Sequence, residues 1–234
     1  MDLEILHSDN HVLALAKPAC VPVVPDDSGD PSLLDEAKAW IAREFNKSGA
    51  VFLGVVHRLD RPVSGVTVFA RTSKAAARIA EQFRDSKASK VYWALSTGRP
   101  AEERGTCEQW LLKDSRTNKV RVVAAGTEGA KHAITAWRVL GYDASCTWIE
   151  ARPASGRPHQ IRVALASLGC PILGDLKYGA AAPLGDKSIA LHAHKLELDH
   201  PTLHELLVLE CAPPATTWWT SAPPGFHGPG PVSR

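Results

Sequence analysis

The order of apolar and polar residues gives the first expectations. Runs at residues 3–7 and 11–16 read as a pair of short strands ending at Lys17-Pro18. A stretch of turn formers follows, with Pro22, Pro25, Gly29 and Pro31. The period then changes. Leu33, Leu34, Ala37, Ile41 and Phe45 recur near every 3.6 residues, which predicts an amphipathic helix over 33–45. The continuous apolar run at 51–56 predicts a buried strand, and 65–70 predicts another, so the polar segment between them is a loop. Ser73 is suited to cap a helix over 74–85, with Ala76, Ile79, Ala80 and Phe83 on one face. Further strands are predicted at 90–97, 106–112, 119–124, 132–140, 146–152, 189–198 and 205–210. Pro158 suits the first turn of a helix that runs to about Leu168 and stops at Gly169. Many antiparallel-looking strands with few helices make the class α+β, and no internal repeat is present. The Pro/Gly-rich residues from 223 to 234 predict a flexible tail behind a domain spanning 1–222.

Composition narrows the class. A chain of 234 residues suits one domain, or two lobes sharing one sheet. No run of eighteen apolar residues exists to cross a membrane as a helix, and Met1-Asp2-Leu3-Glu4 lacks the order of a signal peptide. The expected location is the cytoplasm. Five scattered cysteines without a C-x-x-C pair argue against a disulfide framework and against a cysteine zinc site. The net charge of +2 conceals an uneven distribution: residues 1–54 balance at −5, 55–100 at +6 and 151–179 at +3. Two basic blocks of this kind attract phosphates, although a solvated charged surface has the same composition.

Three groups of residues could carry chemistry. Asp60 lies between Arg58 and Arg61. Neighbouring cations keep a carboxylate ionised, which suits a nucleophile better than a general acid, but a structural ion pair uses the same residues. The segment from Ser155 to Arg162 sets Arg157, His159 and Arg162 at a helix start, either as an anion clamp or as an ordinary surface helix. His192, His194, His200 and His204 invite a metal, yet no cysteine completes a set, and Pro201 interrupts any helix joining the last two. No metal site is expected from them.

The order of motifs resembles the RluA-type RNA pseudouridine synthases. Lys17-Pro18 is followed by His57-Arg58-Leu59-Asp60-Arg61-x-x-Ser64-Gly65, then Lys90-x-Tyr92-x-Ala94-Leu95 and Gly156-Arg157-x-His159-Gln160-Ile161-Arg162. Gly174-Asp175-x-x-Tyr178-Gly179, Leu191-His192-Ala193 and His200-Pro201 complete a match from residue 3 to about 214. The resemblance implies a mixed, mostly antiparallel sheet in two lobes, flanked by helices around a central cleft. It implies an isomerase that cuts the N1 glycosidic bond of a uridine in RNA, turns the uracil and rejoins it through C5, with no cofactor and no metal. By the same resemblance Asp60 is the catalytic carboxylate and Arg162 its partner. Arg58 takes the place of the flipped base, and Tyr92 stacks on the uracil. Arg61, Lys90, Arg157 and His159 are expected to contact RNA, while His192 and Tyr178 are read as structural. Base flipping costs a few kcal/mol, and an aromatic platform offsets part of it, about 1–3 kcal/mol per base.

The sequence departs from the family pattern at Cys20, Val63, Ser155, Pro158 and Ala164, none of which carries the chemistry. No S4-type RNA-binding domain precedes Lys17, so recognition is expected from the catalytic domain itself, acting as a monomer on a tRNA or rRNA stem-loop. Two other readings compete: an RNA-binding relative without activity, acting as a chaperone or assembly factor, and a metal-dependent phosphodiesterase. Retention of Asp60, Tyr92 and Arg162 speaks against the first, and the lack of a coherent ligand set against the second.

Overall fold

The computed structural model describes residues 1–142 and 145–219. The boundary expected between domain and tail at 222/223 therefore lies outside the described residues. The described residues divide into two compact units, one built from residues 1–90 and 193–211, the other from within 91–192 and from 212–219.

In the first unit, β1 (Glu4–Ser8) and β2 (Val12–Lys17) form an antiparallel hairpin, and β2 pairs antiparallel with β4 (Ser64–Ala70). All seven residues of β4 are buried, which explains why its sequence is a continuous run and not an alternation. Val12, Ala14, Val66 and Val68 pack with Ile79 and with Leu196, Leu198 and Leu209 of the last strands. Those strands are β10 (Leu191–Asp199), whose residues from 193 onward belong to this unit, and β11 (Leu206–Glu210). Helix α1 (Leu33–Glu44) is capped by Ser32, whose hydroxyl accepts from the Asp35 amide at 3.2 Å.

Two expectations for this unit need correction. Helix α2 (Ser73–Arg84) is capped by Thr72, not Ser73: the Thr72 hydroxyl accepts from the Ala75 amide at 3.1 Å, and Ser73 already has helical geometry. The run at 51–56 is not a buried strand. Only β3 (Gly54–Val55) pairs, against Ala70 and Phe69, while Phe52 and Val55 are exposed. An apolar run fixes neither burial nor period by itself.

In the second unit, β5 (Ser89–Ser96) contributes residues from 91 onward. It pairs antiparallel with β9 (Thr147–Pro153), which pairs with β8 (Lys131–Tyr142). Next come β6 (Arg104–Asp114) and the edge strand β7 (Lys119–Val123), whose exposed Lys119 and Arg121 discourage pairing with another chain. Helix α3 covers Gln160–Ser167, two residues later than Pro158 suggested. His159 stands before it with φ 52°, in the left-handed region, so the helix cannot extend back through it. Val163 of α3 packs with Leu111, Val120 and Ala133, joined by Tyr178. A 3-10 turn spans Leu176–Tyr178, too short to show an apolar period in the sequence.

Candidate active site

The loop from His57 to Val63 is fixed from three sides within the first unit. The Nε2 atom of His57 accepts a hydrogen bond from the Val68 amide at 2.9 Å, and its ring stacks on Phe83 at 4.7 Å. Burial, assisted by the nearby Lys90 cation, pulls the imidazole down to about 4, so it is neutral at pH 7. Leu59 is buried as an apolar anchor, and the Val63 amide closes a turn onto the Asp60 carbonyl at 3.0 Å. Lys17 is the third support. Its Nζ donates to the carbonyls of Val21 at 2.7 Å, Pro18 at 2.9 Å and Arg61 at 3.1 Å. One buried ammonium thus ties the end of β2 to the residue that follows Asp60. Burial pulls this lysine down to about 7, with Cys20 and Asp60 opposing the shift. The Lys-Pro motif carried this information in the sequence, but the contact to Arg61 spans 44 residues and could not be read locally.

Gly65, the second residue of the exit strand, has φ 123°, and a Cβ there would meet the Ala193 carbonyl oxygen at 2.3 Å. Only glycine lets β4 approach the chain so closely at the base of this loop.

Asp60 is half-buried, and Arg58 is exposed. The expectation that both flanking arginines serve Asp60 does not hold. Arg61 forms ion pairs with Asp26, at 3.3 Å, and with Asp30, both in the turn-rich segment before α1. Sequence adjacency placed Arg61 beside Asp60, but the turn directs its side chain to other carboxylates. Its assigned RNA contact thus competes with two ion pairs. Lys90 is half-buried, and burial lowers its affinity for a proton.

In the second unit Tyr92 is half-buried on β5, opposite Ala151 of β9. Arg162, in the first turn of α3, is buried. Its Nε donates to Asp175 Oδ2 at 2.7 Å and its Nη2 to Oδ1 at 2.8 Å. This bidentate pair fixes the direction of the guanidinium. The motif order named both residues but gave Arg162 to Asp60; the bidentate pair it forms is with Asp175, thirteen residues away across a bend. The Tyr178 ring lies 5.1 Å from the guanidinium carbon. Its hydroxyl accepts from the Val120 amide at 2.8 Å and lies within hydrogen-bond distance, 2.7 Å, of His159 Nδ1. The structural reading of Tyr178 agrees with this arrangement. His159, assigned to RNA, is buried in the same arrangement and is not a surface clamp. Arg157 is exposed and donates from Nε to the His132 carbonyl at 3.2 Å.

Gln160 is a support the motif did not explain. Its Oε1 accepts from Ser155 Oγ at 2.7 Å and from the Arg157 amide at 3.1 Å, while its Nε2 donates to Ile134 O and Thr135 Oγ1. All of its capacity goes to holding the 155–160 loop against β8.

Family comparison decides what these parts belong to. The family model described as RNA pseudouridylate synthase matches residues 11–167, two thirds of the chain. This chain belongs to the RluA-type RNA pseudouridine synthases. It is 33% identical over 218 residues to the "Dual-specificity RNA pseudouridine synthase RluA" of Pasteurella multocida, covering 91% of this chain and 94% of that one. It is 34% identical over 218 residues to the "Uncharacterized RNA pseudouridine synthase YhcT" of Bacillus subtilis, covering 92% and 70%. Among solved structures, "Human RNA Pseudouridylate Synthase Domain Containing 4" superposes with a TM-score of 0.76 at 29% identity, covering 91% and 89% of the two chains. The synthase is an isomerase acting on RNA, as its motifs implied.

Three of the histidines weighed above for a metal engage neighbouring residues. His192 packs edge-on to Trp219 at 6.0 Å, and His194 Nδ1 lies 2.9 Å from the Cys211 carbonyl, to which it donates. His200 joins His7 around Asp9, a cluster no local pattern showed: Asp9 Oδ2 lies 2.7 Å from His7 Nε2 and 2.9 Å from His200 Nε2. His200 Nδ1 accepts from the amides of Leu203 and Thr202, so its proton sits on Nε2 and points at Asp9. A metal at Nε2 would have to displace that proton while Nδ1 stayed occupied. The cluster is a hydrogen-bonded clamp between the β1–β2 turn and the turn after β10.

Proposed function

We propose that this synthase isomerises a uridine in a tRNA or rRNA stem-loop with Asp60 as the catalytic carboxylate. The observation that carries the reading is the construction around Asp60. A half-buried carboxylate sits in a loop held by His57 from one side and by the Lys17–Arg61 hydrogen bond from the other. Arg58 is exposed beside it and has the planar, weakly hydrated head that can stack in a vacated base position. Tyr92 offers the aromatic face on which an extruded uracil can stack. The role assigned to Arg162, keeping the carboxylate ionised, requires a guanidinium of fixed direction, and Asp175 fixes it.

Replacing Asp60 with asparagine tests this. Release of tritium from C5-labelled uridine in an RNA transcript should fall by at least about a hundredfold, because a neutral amide cannot act as a nucleophile. RNA affinity and melting temperature should stay near wild type. Turnover within tenfold of wild type would remove Asp60 from the mechanism.

A further inference from the structure

The sheet of the second unit has two faces, and Tyr92 stands on one of them. Side chains alternate along each strand. Tyr92 is opposite Ala151, and the α3 side of β6 is marked by Cys107, whose thiol meets the Ala164 carbonyl, and by Gln109, which donates to Ser167 Oγ. Residues of the other parity face away from both. In register across three strands these are Arg104 of β6, Arg138 of β8 and Glu150 of β9, and in the next row Thr106, Ala136 and Arg152. Together they line a concave cavity of about 510 Å³.

Its charges are organised. Glu150 is buried, and both its oxygens are taken: Arg138 binds it through Nε at 2.9 Å and Nη2 at 3.0 Å, and Arg152 through Nε at 2.8 Å. The carboxylate fixes two guanidiniums whose side chains remain more than half exposed. Among the described residues the Arg104 side chain makes no hydrogen bond or ion pair. Three cations against one carboxylate leave a net charge of +2 in one concavity, with N–H donors still unspent on each arginine. Guanidinium forks held in this way suit the paired oxygens of a phosphodiester.

We propose that this cavity, on the sheet face opposite Tyr92, binds the phosphate backbone of the substrate RNA outside the stem-loop that carries the target uridine. The proposal rests on RNA being the substrate, as the family membership gives. A strand lying on the reverse face cannot at the same place present a base to Tyr92, so the bound phosphates belong to flanking RNA. This second foothold adds affinity and requires no base sequence.

Two substitutions test the cavity without dismantling it. Arg104→Glu reverses a cation that supports no other side chain among the described residues, and Arg152→Gln leaves Glu150 gripped at both oxygens by Arg138. Equilibrium binding of the full chain is measured with a hairpin of about 17 nucleotides and with the same hairpin carrying single-stranded flanks of about 15 nucleotides, at several salt concentrations. The flanked RNA should bind the double variant about tenfold more weakly than wild type. The slope of log K against log salt should shrink by about 0.7 for each phosphate that the variant no longer neutralises. The bare hairpin should change little. Unchanged affinity and slope for the flanked RNA would overturn the proposal, and so would equal losses on both RNAs. Poly-glutamate binding that disappears in the double variant while RNA binding stays intact would instead assign the cavity to an acidic protein segment. Because the readout is binding, it is separate from the Asp60→Asn experiment: retained turnover in that variant would remove the catalytic assignment and leave this result standing.

Discussion

At the scale of single residues, the most informative position is a departure from the family pattern. Cys20 stands where glycine often follows Lys-Pro-x, and it adopts φ 65°. The left-handed region costs a residue with a Cβ roughly 1–2 kcal/mol, which explains the family's glycine. Glycine has its own entropic penalty, about 0.5–1 kcal/mol. The difference predicts that Cys20→Gly raises stability by up to about 1 kcal/mol, seen as a higher urea midpoint at unchanged slope. A lower midpoint would mean that the Cys20 side chain contributes more than its backbone conformation costs. The reason the sequence could not show this strain is plain. A motif records which residue is usual, whereas φ depends on how Lys17 folds the following loop back onto Pro18 and Val21.

At the scale of elements, the sequence carried most of the strands and the three α-helices found among the described residues, because their apolar periods are long enough to be unambiguous. It failed where tertiary contacts decide. The run at 51–56 pairs over only two residues, and the start of α3 is set by the left-handed His159, not by Pro158. The motif residues of the site were legible as a list, but their supports were not. Lys17 to Arg61, Gln160 to Thr135 and Arg162 to Asp175 each join segments separated along the chain. The last of these predicts a large effect. Asp175 is 1% exposed, and Asp175→Asn would leave the Arg162 guanidinium buried beside a neutral amide. Breaking one side of a buried ion pair costs about 3–5 kcal/mol. Thermal unfolding should show a loss of that order, and Asp175→Glu should recover part of it. A loss below about 1 kcal/mol would show that Arg162 is held by its other neighbours.

At the scale of the whole molecule, stability sums over every group whose proton affinity changes on folding, and the synthase holds two that act in separate pH windows. His57 is neutral in the fold and titrates at about 4, against 6.5 for an ordinary histidine. Between those values the unfolded chain takes up a proton that the folded chain refuses, so stability falls as pH drops through the window. The Asp9 carboxyl is held well below its ordinary range: burial opposes this, but hydrogen bonds from His7, the His11 and Val12 amides and His200 outweigh it. Its contribution is present above about pH 4 and is lost only on further acidification. The two are therefore separable by pH alone. Unfolding free energy should decline by on the order of 2–4 kcal/mol between about pH 6.5 and 4 through His57. A second decline below about pH 4 follows from Asp9. In His57→Gln, an uncharged residue that can still accept from the Val68 amide, the first decline should disappear and the second remain. Urea titrations of both proteins at half-unit pH steps would show it. If the variant lost stability over the first window as the wild type does, the proton uptake would belong to another histidine. The loop that presents Asp60 would then owe its position to packing on Phe83 and not to a histidine kept neutral.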